Sequence, residues 1–360
     1  MTGPDAPRPA RVLGVGTAVP RHHVGQDEAR DFARRLFADH LDDLDRLLRL
    51  FGNVRVDDRW FAVDPEWFET EHGLEERNEI YRREAVPLSV ASASAALHDA
   101  AVAPDDVDAI FFVSSTGFAT PSLDAVLVGE LGLRCDVRRD ATFGHGCAGG
   151  AGGLARAAQW ARANPGRHVL VVATELCGLT LQRSDVSRTN LVATSLFADG
   201  SASVVVGTDG AGPSILAESS VLWPGTGDVM GWTFGDTGMG VVLSRRVPAI
   251  IREHVAESVD RVCAAAGVGR DELSRFVLHP GGAAVLDALR SALDLDDDDL
   301  VHSRRVLRDF GNMSAPTVLF VLDDFLRRGS PDADDLVLVS AMGPGFAAEH
   351  LVLRCDGPDR

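Results

Sequence analysis

Short apolar runs of strand length alternate along this chain of 360 residues with longer stretches in which Ala, Leu and Arg recur at helical spacing. The short runs predict buried strands, and recurrence at about 3.6 residues predicts helices. Strands that alternate with helices indicate an α/β fold with largely buried sheets. The predicted strands are 12–15, 109–113, 169–173, 202–206, 276–278 and 336–339, and the predicted helices are 91–101, 154–163, 250–266 and 317–328.

One α/β unit occurs twice in this pattern. In each copy an alanine-rich helix is followed by an acidic segment and then a strand. The acidic segment and the strand together span 105–113 in the first copy and 271–278 in the second. In the first copy Cys147 then precedes a helix and a strand, and in the second copy Asn312 does so. Each copy would deliver a polar residue at a helix start. We therefore expect the active site to form between the two copies.

A run rich in Gly and Pro at 210–213 interrupts the pattern between the two copies. Runs of this composition mark turns and connecting segments. We therefore predict an N-terminal half, 1–210, that carries Cys147, and a C-terminal half, 211–360, that carries His279 and Asn312.

Composition places the chain among ordinary globular enzymes, because 45% of its residues are hydrophobic and 24% are charged. Lys and Arg number 35 against 53 Asp and Glu, and the resulting net charge of −18 repels nucleic acid and anionic lipid surfaces. No apolar run approaches the ~18 residues that a membrane span requires. We therefore expect neither a nucleic-acid partner nor a membrane partner.

The five cysteines are odd in number, scattered and without CxxC spacing. This distribution argues against a disulfide framework and against a structural zinc site. The first ten residues contain proline and lack the apolar core of a signal peptide. We therefore expect a cytoplasmic protein with no metal site.

Cys147 stands among the glycines of segment 144–153, directly before a predicted helix. Glycines let a substrate and the neighbouring backbone approach closely. The free N–H groups and the positive dipole of a helix start stabilise a thiolate and lower the cysteine pKa from about 8.5. Cys147 is therefore a candidate nucleophile. The alternative is a buried structural cysteine in a packing turn.

His279 and Asn312 are candidate partners for that cysteine. His279 follows the strand 276–278 and precedes Pro-Gly-Gly, which places it at the carboxyl edge of the sheet, where α/β folds usually bind ligands. Asn312 lies between glycine and the start of a helix. Taken alone, His279 could be a turn histidine bonded to backbone. Asn312 could be an N-cap, a role that Ser314 could also fill.

Four segments carry these residues in a recognisable order: Gly-Cys-Ala-Gly-Gly at 146–150, His-Pro-Gly-Gly at 279–282, Gly-Asn-Met-Ser at 311–314 and Gly-Pro-Gly at 343–345. Together they resemble the motif series of the type III polyketide synthases, the chalcone synthase-like family of the thiolase superfamily. The resemblance spans nearly the whole chain. It implies the thiolase fold, in which duplicated βαβαβ halves form a five-layered αβαβα architecture, and it implies a homodimer.

By this resemblance, Cys147 takes the starter acyl group from coenzyme A and holds the growing chain as a thioester. His279 pairs with the thiolate and, with Asn312, donates hydrogen bonds to the malonyl thioester oxygen. Preorganised donors stabilise the enolate that decarboxylation leaves. The enzyme would thus be an acyltransferase that joins acyl-CoA and malonyl-CoA by decarboxylative Claisen condensation. It would require no metal or redox cofactor.

The resemblance also assigns the walls of the pocket. Phe197 resembles a gatekeeper phenylalanine, the second gatekeeper position falls on Val241, and Trp232 stands where plant relatives have glycine. The remaining lining positions are Thr116, Thr180 and Ser314. Because one wall is smaller and another bulkier, we expect an aliphatic or fatty acyl starter. Closure as a pyrone, a resorcinol or a phloroglucinol stays open.

The coenzyme A entrance of the family is basic, whereas the corresponding segment 55–59 mixes both signs of charge. Arg55 and Arg59 are the predicted phosphate contacts, because arginine makes bidentate bonds to phosphate. A surface salt pair is the alternative for both residues. Delivery of the acyl group by an acyl carrier protein also stays open.

Four other classes of protein are alternatives. An initiating ketosynthase of fatty-acid synthesis shares Cys, His and Asn, but it normally has His-Gln-Ala-Asn where this chain has His-Pro-Gly-Gly. A biosynthetic thiolase needs a second catalytic cysteine near the C-terminus, where Cys355 has no glycine neighbours in the required setting. A cysteine protease uses the same three residue types. A non-catalytic thiolase-fold scaffold would need one of the three to be misplaced.

Overall fold

A computed structural model describes residues 8–37, 44 and 48–356 of the chain. The outermost residues of both predicted halves, 1–7 and 357–360, lie outside the described residues. Within the described part, no helix is long and apolar enough to cross a membrane.

Every predicted strand lies inside an observed strand, and every predicted helix overlaps an observed helix. The strands are β1 Ala10–Ala18, β2 His22–Gly25, β3 Asp58–Phe61, β4 Val107–Val113, β5 Arg138–Thr142, β6 His168–Leu176, β7 Asp199–Gly207, β8 Ser214–Leu222, β9 Met230–Gly235, β10 Gly238–Leu243, β11 Arg275–Leu278, β12 Leu336–Gly343 and β13 Ala347–Arg354. The helices are α1 Gln26–Phe37, α2 Leu50–Asn53, α3 Leu74–Asp99, α4 Leu123–Glu130, α5 Gly149–Ala163, α6 Arg188–Leu196, α7 Val247–Ala266, α8 Ala283–Leu293, α9 Val301–Phe310 and α10 Ala315–Arg328.

Nine strands form one sheet in the order β11-β12-β13-β8-β1-β7-β6-β4-β5. In the N-terminal half, β4 runs parallel to β6, and β6, β7 and β1 follow as antiparallel neighbours. The C-terminal half repeats this pattern, since β11 is parallel to β12 and β12, β13 and β8 are antiparallel. A short antiparallel contact between β1 and β8 joins the halves. The duplication predicted from the sequence is thus confirmed.

Five layers result from the way that helices cover this sheet. Helix α3 packs on one outer face against β1, β6 and β7, while α7 packs on the opposite outer face with α8. Between the two halves of the sheet, α5 and α10 pack against each other and against strands of both halves. Alternate residues of β6 face different layers, because Val169 and Val171 belong to the central core and Leu170 and Val172 to the core under α3.

The start of α5 touches the start of α10. A Cβ on Gly150 would lie only 2.2 Å from the carbonyl oxygen of Ala315, so glycine is required for this approach. Cys147 lies two residues before the start of α5, and Asn312 lies three residues before the start of α10. The contact between the two central helices therefore brings these residues of different halves together. The predicted boundary at 210–213 falls between β7 and β8 and stays a prediction.

Candidate active site

Cys147 lies in a single turn of 3₁₀ helix, Gly146–Ala148, that leads into α5. Its thiol is buried, and Sγ lies 3.9 Å from Oδ1 of Asn312. The Gly-Pro-Gly turn at 343–345 packs on this segment, since a Cβ on Gly343 would lie 2.3 Å from the carbonyl oxygen of His145. The turn therefore fixes the backbone that carries the nucleophile.

Asn312 is held by its backbone and by its amide oxygen. Its N–H donates to the carbonyl of Leu196 at 2.9 Å, and its carbonyl accepts from the N–H of Ala198 at 2.9 Å. Oδ1 accepts from the N–H of Ser314 at 2.8 Å, which fixes the amide orientation and leaves Nδ2 available as a donor. Ser314, not Asn312, directly precedes α10, and its side chain makes no capping hydrogen bond.

His279 directly follows β11, as predicted, and its N–H donates to the carbonyl of Ser340 at 2.8 Å. The side chain is 2% exposed, and neither Nδ1 nor Nε2 has a hydrogen-bond partner among the described residues. Leaving a buried polar group unpaired costs about 1–3 kcal/mol. The unpaired ring nitrogens of His279 are therefore available to form a hydrogen bond with a ligand.

One cavity brings the three predicted catalytic residues together. Cys147, His279 and Asn312 line a space of about 610 Å³, which includes its opening to solvent. The predicted pocket residues Phe197, Trp232, Val241 and Ser314 line the same cavity. Most of the remaining lining is apolar, which strengthens the electrostatic effect of each polar group in it.

A second cavity of about 670 Å³ adjoins the first, and Phe197 and Val241 line both. The predicted pocket residue Thr180 lies in this second cavity and not in the first. Phenylalanines 32, 61 and 68 contribute much of its apolar lining. Phe197 and Val241 therefore lie between two apolar spaces, and their role as gatekeepers stays a prediction.

Thr116 lines neither of these two cavities, although it was predicted as a pocket residue. Its hydroxyl donates to Oε2 of Glu175 at 2.6 Å, and the same oxygen accepts from the N–H of Ser115 at 2.9 Å. The side chain of Thr116 is thereby turned to the carboxyl group. Oε1 of Glu175 is buried without a partner among the described residues.

Glu175 is a functional candidate that sequence reasoning missed. It stands near the end of the buried strand β6, and burial raises its pKa to about 7. Its charge also raises the pKa of Cys147, so the two groups lie within electrostatic reach of each other. An acidic residue inside an otherwise apolar strand was the available signal. Glu175 can accept or donate a proton near neutral pH.

Burial dominates the protonation of the cysteine and histidine when each is considered by itself. It raises the pKa of Cys147 to about 11 and lowers the pKa of His279 to about 3. The expectation that the helix start alone lowers the cysteine pKa is therefore wrong, because the buried position outweighs it. Transfer of the thiol proton to the imidazole creates both charges together, and each then stabilises the other.

The two predicted coenzyme A contacts occupy different environments. Arg59 is 1% exposed, donates to the carbonyls of Thr194 and Phe197, and lies over the ring of Phe61. A guanidinium that donates to backbone carbonyls inside the fold does not reach the surface to bind phosphate. The prediction that Arg59 contacts coenzyme A is therefore wrong. Arg55 is exposed and lines a groove on the surface. Its contact with phosphate stays a prediction.

No group of three or more His, Cys, Asp or Glu side chains in the described part of the chain is placed to hold a metal ion. The expectation that the enzyme requires no metal or redox cofactor stays a prediction.

Models of one protein family match almost the entire chain. The N-terminal domain of chalcone and stilbene synthases matches residues 4–210, and the C-terminal domain of the same family matches residues 215–356. A Bacillus subtilis (strain 168) protein with the provisional name chalcone synthase is 38% identical, with 95% of this chain and 98% of that protein covered. A 1,3,6,8-tetrahydroxynaphthalene synthase of Streptomyces peucetius subsp. caesius is 36% identical, with 96% of this chain and 93% of that protein covered.

The fold agrees with a solved member of this group. The crystal structure of 1,3,6,8-tetrahydroxynaphthalene synthase from Streptomyces coelicolor, a bacterial type III polyketide synthase, matches with a TM-score of 0.93 at 32% identity. The match covers 97% of this chain and 100% of the Streptomyces coelicolor chain. The ketosynthase, thiolase, protease and scaffold alternatives gain no support from these matches. The chain belongs to the chalcone and stilbene synthase family and is a type III polyketide synthase, a carbon–carbon bond-forming acyltransferase with the thiolase fold.

Proposed function

We propose that this enzyme condenses an aliphatic or fatty acyl-CoA starter with malonyl-CoA extenders and cyclises the resulting chain. The observation that carries the proposal is the second apolar cavity, which shares Phe197 and Val241 with the cavity of Cys147. Burial of each CH₂ group stabilises a bound ligand by about 0.8 kcal/mol. An alkyl chain that extends from Cys147 past Val241 would gain this stabilisation along the second cavity.

Loading of the starter begins with the thiol proton. Cys147 transfers it to His279, and the thiolate attacks the carbonyl carbon of the acyl-CoA. The carbon–sulfur bond to coenzyme A then breaks, and coenzyme A leaves with the proton from the imidazolium. An acyl group on Cys147 and a neutral His279 remain.

Extension uses the same residues as hydrogen-bond donors. Malonyl-CoA loses carbon dioxide, and the electron pair of the broken bond forms an enolate of the thioester. A ring N–H of His279 and the Nδ2 hydrogens of Asn312 bind the enolate oxygen, and both groups are otherwise without acceptors among the described residues. The enolate carbon attacks the acyl thioester, a carbon–carbon bond forms, and the thiolate of Cys147 is released.

A ladder of acyl-CoA starters tests the proposal. Each starter is incubated with malonyl-CoA and the enzyme, and products are identified by mass. We expect products from aliphatic starters and none from Cys147→Ala, which should also form no acyl-enzyme. His279→Ala and Asn312→Ala should reduce malonyl decarboxylation more than starter loading. Preference for an aromatic starter such as coumaroyl-CoA, or full product formation by Cys147→Ala, would contradict the proposal.

A second candidate product is 1,3,6,8-tetrahydroxynaphthalene, which is favoured by the relatives named for its synthesis. This compound has no alkyl side chain, so it cannot contain the alkyl group of an aliphatic starter. Incubation with malonyl-CoA alone distinguishes the candidates. A hydroxylated naphthalene formed efficiently without any other acyl-CoA would favour the second candidate.

Substrate delivery and assembly belong to the same proposal. We assign acyl delivery to coenzyme A, with Arg55 as a phosphate contact, and not to an acyl carrier protein, because carrier proteins are acidic and this chain has a net charge of −18. Arg55→Ala should therefore raise the KM for malonyl-CoA and leave kcat unchanged. We further propose that the enzyme is cytoplasmic, since all five cysteines are free thiols, which persist in a reducing environment. The resemblance to the family supports a homodimer.

A further inference from the structure

Arg59 carries a positive charge into the interior of the fold. It lies on β3, and its side chain is 1% exposed. Burial lowers its pKa to about 10, and no carboxylate among the described residues raises that pKa again. Arg59 is therefore still a cation at neutral pH. A buried cation is stable only where other groups compensate its charge, so the groups that accept from Arg59 must take the place of a carboxylate.

The end of helix α6 compensates this charge. Nη1 of Arg59 donates to the carbonyl of Thr194 and, at 3.2 Å, to the carbonyl of Phe197. Helix α6 ends at Leu196. The last carbonyls of a helix lack partners within the helix and carry negative partial charge, so they attract a cation. Arg59 therefore fixes the end of α6 and the residue that follows it.

The same helix end forms the backbone contact that holds Asn312. Phe197 and Asn312 form an isolated parallel bridge between two loops. In this bridge the N–H of Asn312 donates to the carbonyl of Leu196 at 2.9 Å. The N–H of Ala198 donates to the carbonyl of Asn312, also at 2.9 Å. The position of segment 196–198 therefore sets the position of Asn312.

The aliphatic stem of Arg59 contacts the other side of this bridge. A Cβ on Gly311 would lie 2.9 Å from Cγ and 3.1 Å from Cδ of Arg59. Gly311 directly precedes Asn312, and its φ of 70° is one that glycine adopts without steric cost. Arg59 thus touches both sides of the bridge, with its guanidinium on the end of α6 and its stem on Gly311.

We propose that Arg59 is a positioning residue for malonyl decarboxylation, which holds the bridge between Phe197 and Asn312 and thereby aims Nδ2 of Asn312 at the enolate oxygen. The inference rests on the proposed role of Asn312 as a donor. Arg59 lines the second cavity and not the cavity of Cys147, so it acts through Asn312 and not on the reacting atoms. An error of about 1 Å in the position of such a donor can slow a reaction about 100-fold.

Arg59→Met tests this role, because methionine keeps an apolar stem and removes both hydrogen bonds. Arg77→Met is the matched control, since Arg77 is the other buried arginine in the described part of the chain and donates to the carbonyls of Leu179 and Leu181. Release of carbon dioxide from malonyl-CoA should fall at least about tenfold in Arg59→Met relative to the rate at which iodoacetamide alkylates Cys147. Arg77→Met should keep the wild-type ratio of these two rates. Arg59→Lys retains the charge and should recover part of the loss.

A double variant distinguishes positioning from a general loss of structure. In the background of Asn312→Ala, Arg59→Met should lower carbon dioxide release by less than about twofold, because the donor that Arg59 positions is already absent. A further tenfold fall in that background would mean that Arg59 acts by another route and would overturn the inference. A wild-type ratio of the two rates in Arg59→Met would also overturn it.

The proposed role of Asn312 can fail separately from the role of Arg59. If Asn312→Ala releases carbon dioxide as fast as the wild type, Asn312 is not the donor and Arg59 has nothing to position. If Asn312→Ala is slow while Arg59→Met is not, the inference about Arg59 alone is wrong. If Arg59→Met does not fold, Arg59→Gln, which loses the charge and keeps an N–H donor, replaces it in the same comparisons. Neither rate depends on the identity of the starter.

Discussion

Trp232 and Val241 are directly opposed residues of the β9–β10 hairpin. Opposed residues of an antiparallel pair place their side chains on the same face, and both side chains line the cavity of Cys147. Val241 also lines the adjoining apolar cavity, whereas Trp232 does not. The large residue therefore bounds the catalytic cavity, and the small residue borders the way to the second cavity.

Val241→Phe should narrow the passage between the two cavities. Since Val241 lines both, a phenylalanine there would occupy space that a long alkyl chain needs. We expect kcat/KM for a long-chain acyl-CoA to fall by at least about tenfold relative to acetyl-CoA, which corresponds to about 1.4 kcal/mol. Steady-state assays with both starters measure this ratio.

Val301→Phe serves as the control for that experiment, because it adds the same bulk at an exposed position of α9. Its ratio of long-chain to short-chain activity should equal that of the wild type. If Val241→Phe left the ratio unchanged as well, the second cavity would not hold the starter chain.

His279→Gln should make the thiol of Cys147 unreactive at neutral pH. Burial by itself raises the pKa of Cys147 to about 11, so the thiolate requires the imidazolium formed beside it. Alkylation by iodoacetamide at pH 7 should slow by at least about tenfold in the variant and should recover as the pH rises toward that pKa. Mass spectrometry of the Cys147 peptide gives the rate without an activity assay.

Cys135 provides an internal reference for the alkylation experiment, because it is an exposed free cysteine in the same protein. Its rate of modification should not differ between the wild type and His279→Gln at any pH. Equal pH profiles of Cys147 in both proteins would show that His279 does not pair with the thiolate.

Local patterns were sufficient to predict the buried strands and the order of the catalytic residues. Glycines around Cys147 predicted close backbone approach, and the contact of Gly150 with Ala315 explains why Cys147 and Asn312 reach one cavity. The strands β2, β3, β5, β8, β9, β10 and β13 were not predicted. Much of the length of the first six is partly exposed, whereas β13 is mostly buried but carries the charged and polar residues Glu349 and His350 in its middle. Pairing partners, and not the local sequence, define such strands.

Side-chain burial was the property that the sequence predicted least well. Arg59 was predicted at the surface, but its guanidinium satisfies two carbonyls inside the fold. Thr116 was predicted in the pocket, but its hydroxyl is bonded to Glu175. Both errors arise because residue type and spacing do not determine which partner a polar group finds in the folded chain. For the same reason the pKa of Cys147 could not be predicted from its helix start alone.

Glu175→Gln should weaken the dependence of stability on pH. The carboxyl pKa is raised from 4.5 to about 7 in the folded chain, so between these values the unfolded chain releases the proton first. Raising the pH through this window therefore favours unfolding, by up to about 3 kcal/mol for this group. Glutamine does not titrate, so the free energies of unfolding at pH 5 and pH 8 should differ less in the variant. Denaturant unfolding measures both values.

Some loss of stability at high pH should persist in Glu175→Gln, because burial also raises the pKa of Asp199 to about 7. Glu130→Gln, at an exposed position, should keep the wild-type difference between the two pH values. A difference in Glu175→Gln as large as in the wild type would mean that Glu175 ionises in the folded chain without cost.

Gly150→Ala should destabilise the protein at the contact that assembles the active site. The new Cβ would lie 2.2 Å from the carbonyl oxygen of Ala315, so the starts of α5 and α10 must move apart. We expect a loss of about 3 kcal/mol in the free energy of unfolding, and slower malonyl decarboxylation because Asn312 moves with α10. Gly129→Ala is the matched control, since a Cβ there meets no atom within 4 Å and alanine favours helix α4 by up to about 1 kcal/mol. If denaturant unfolding gave both variants the same stability, the two helix starts would not be held in close contact, and the joint position of Cys147 and Asn312 would need another cause.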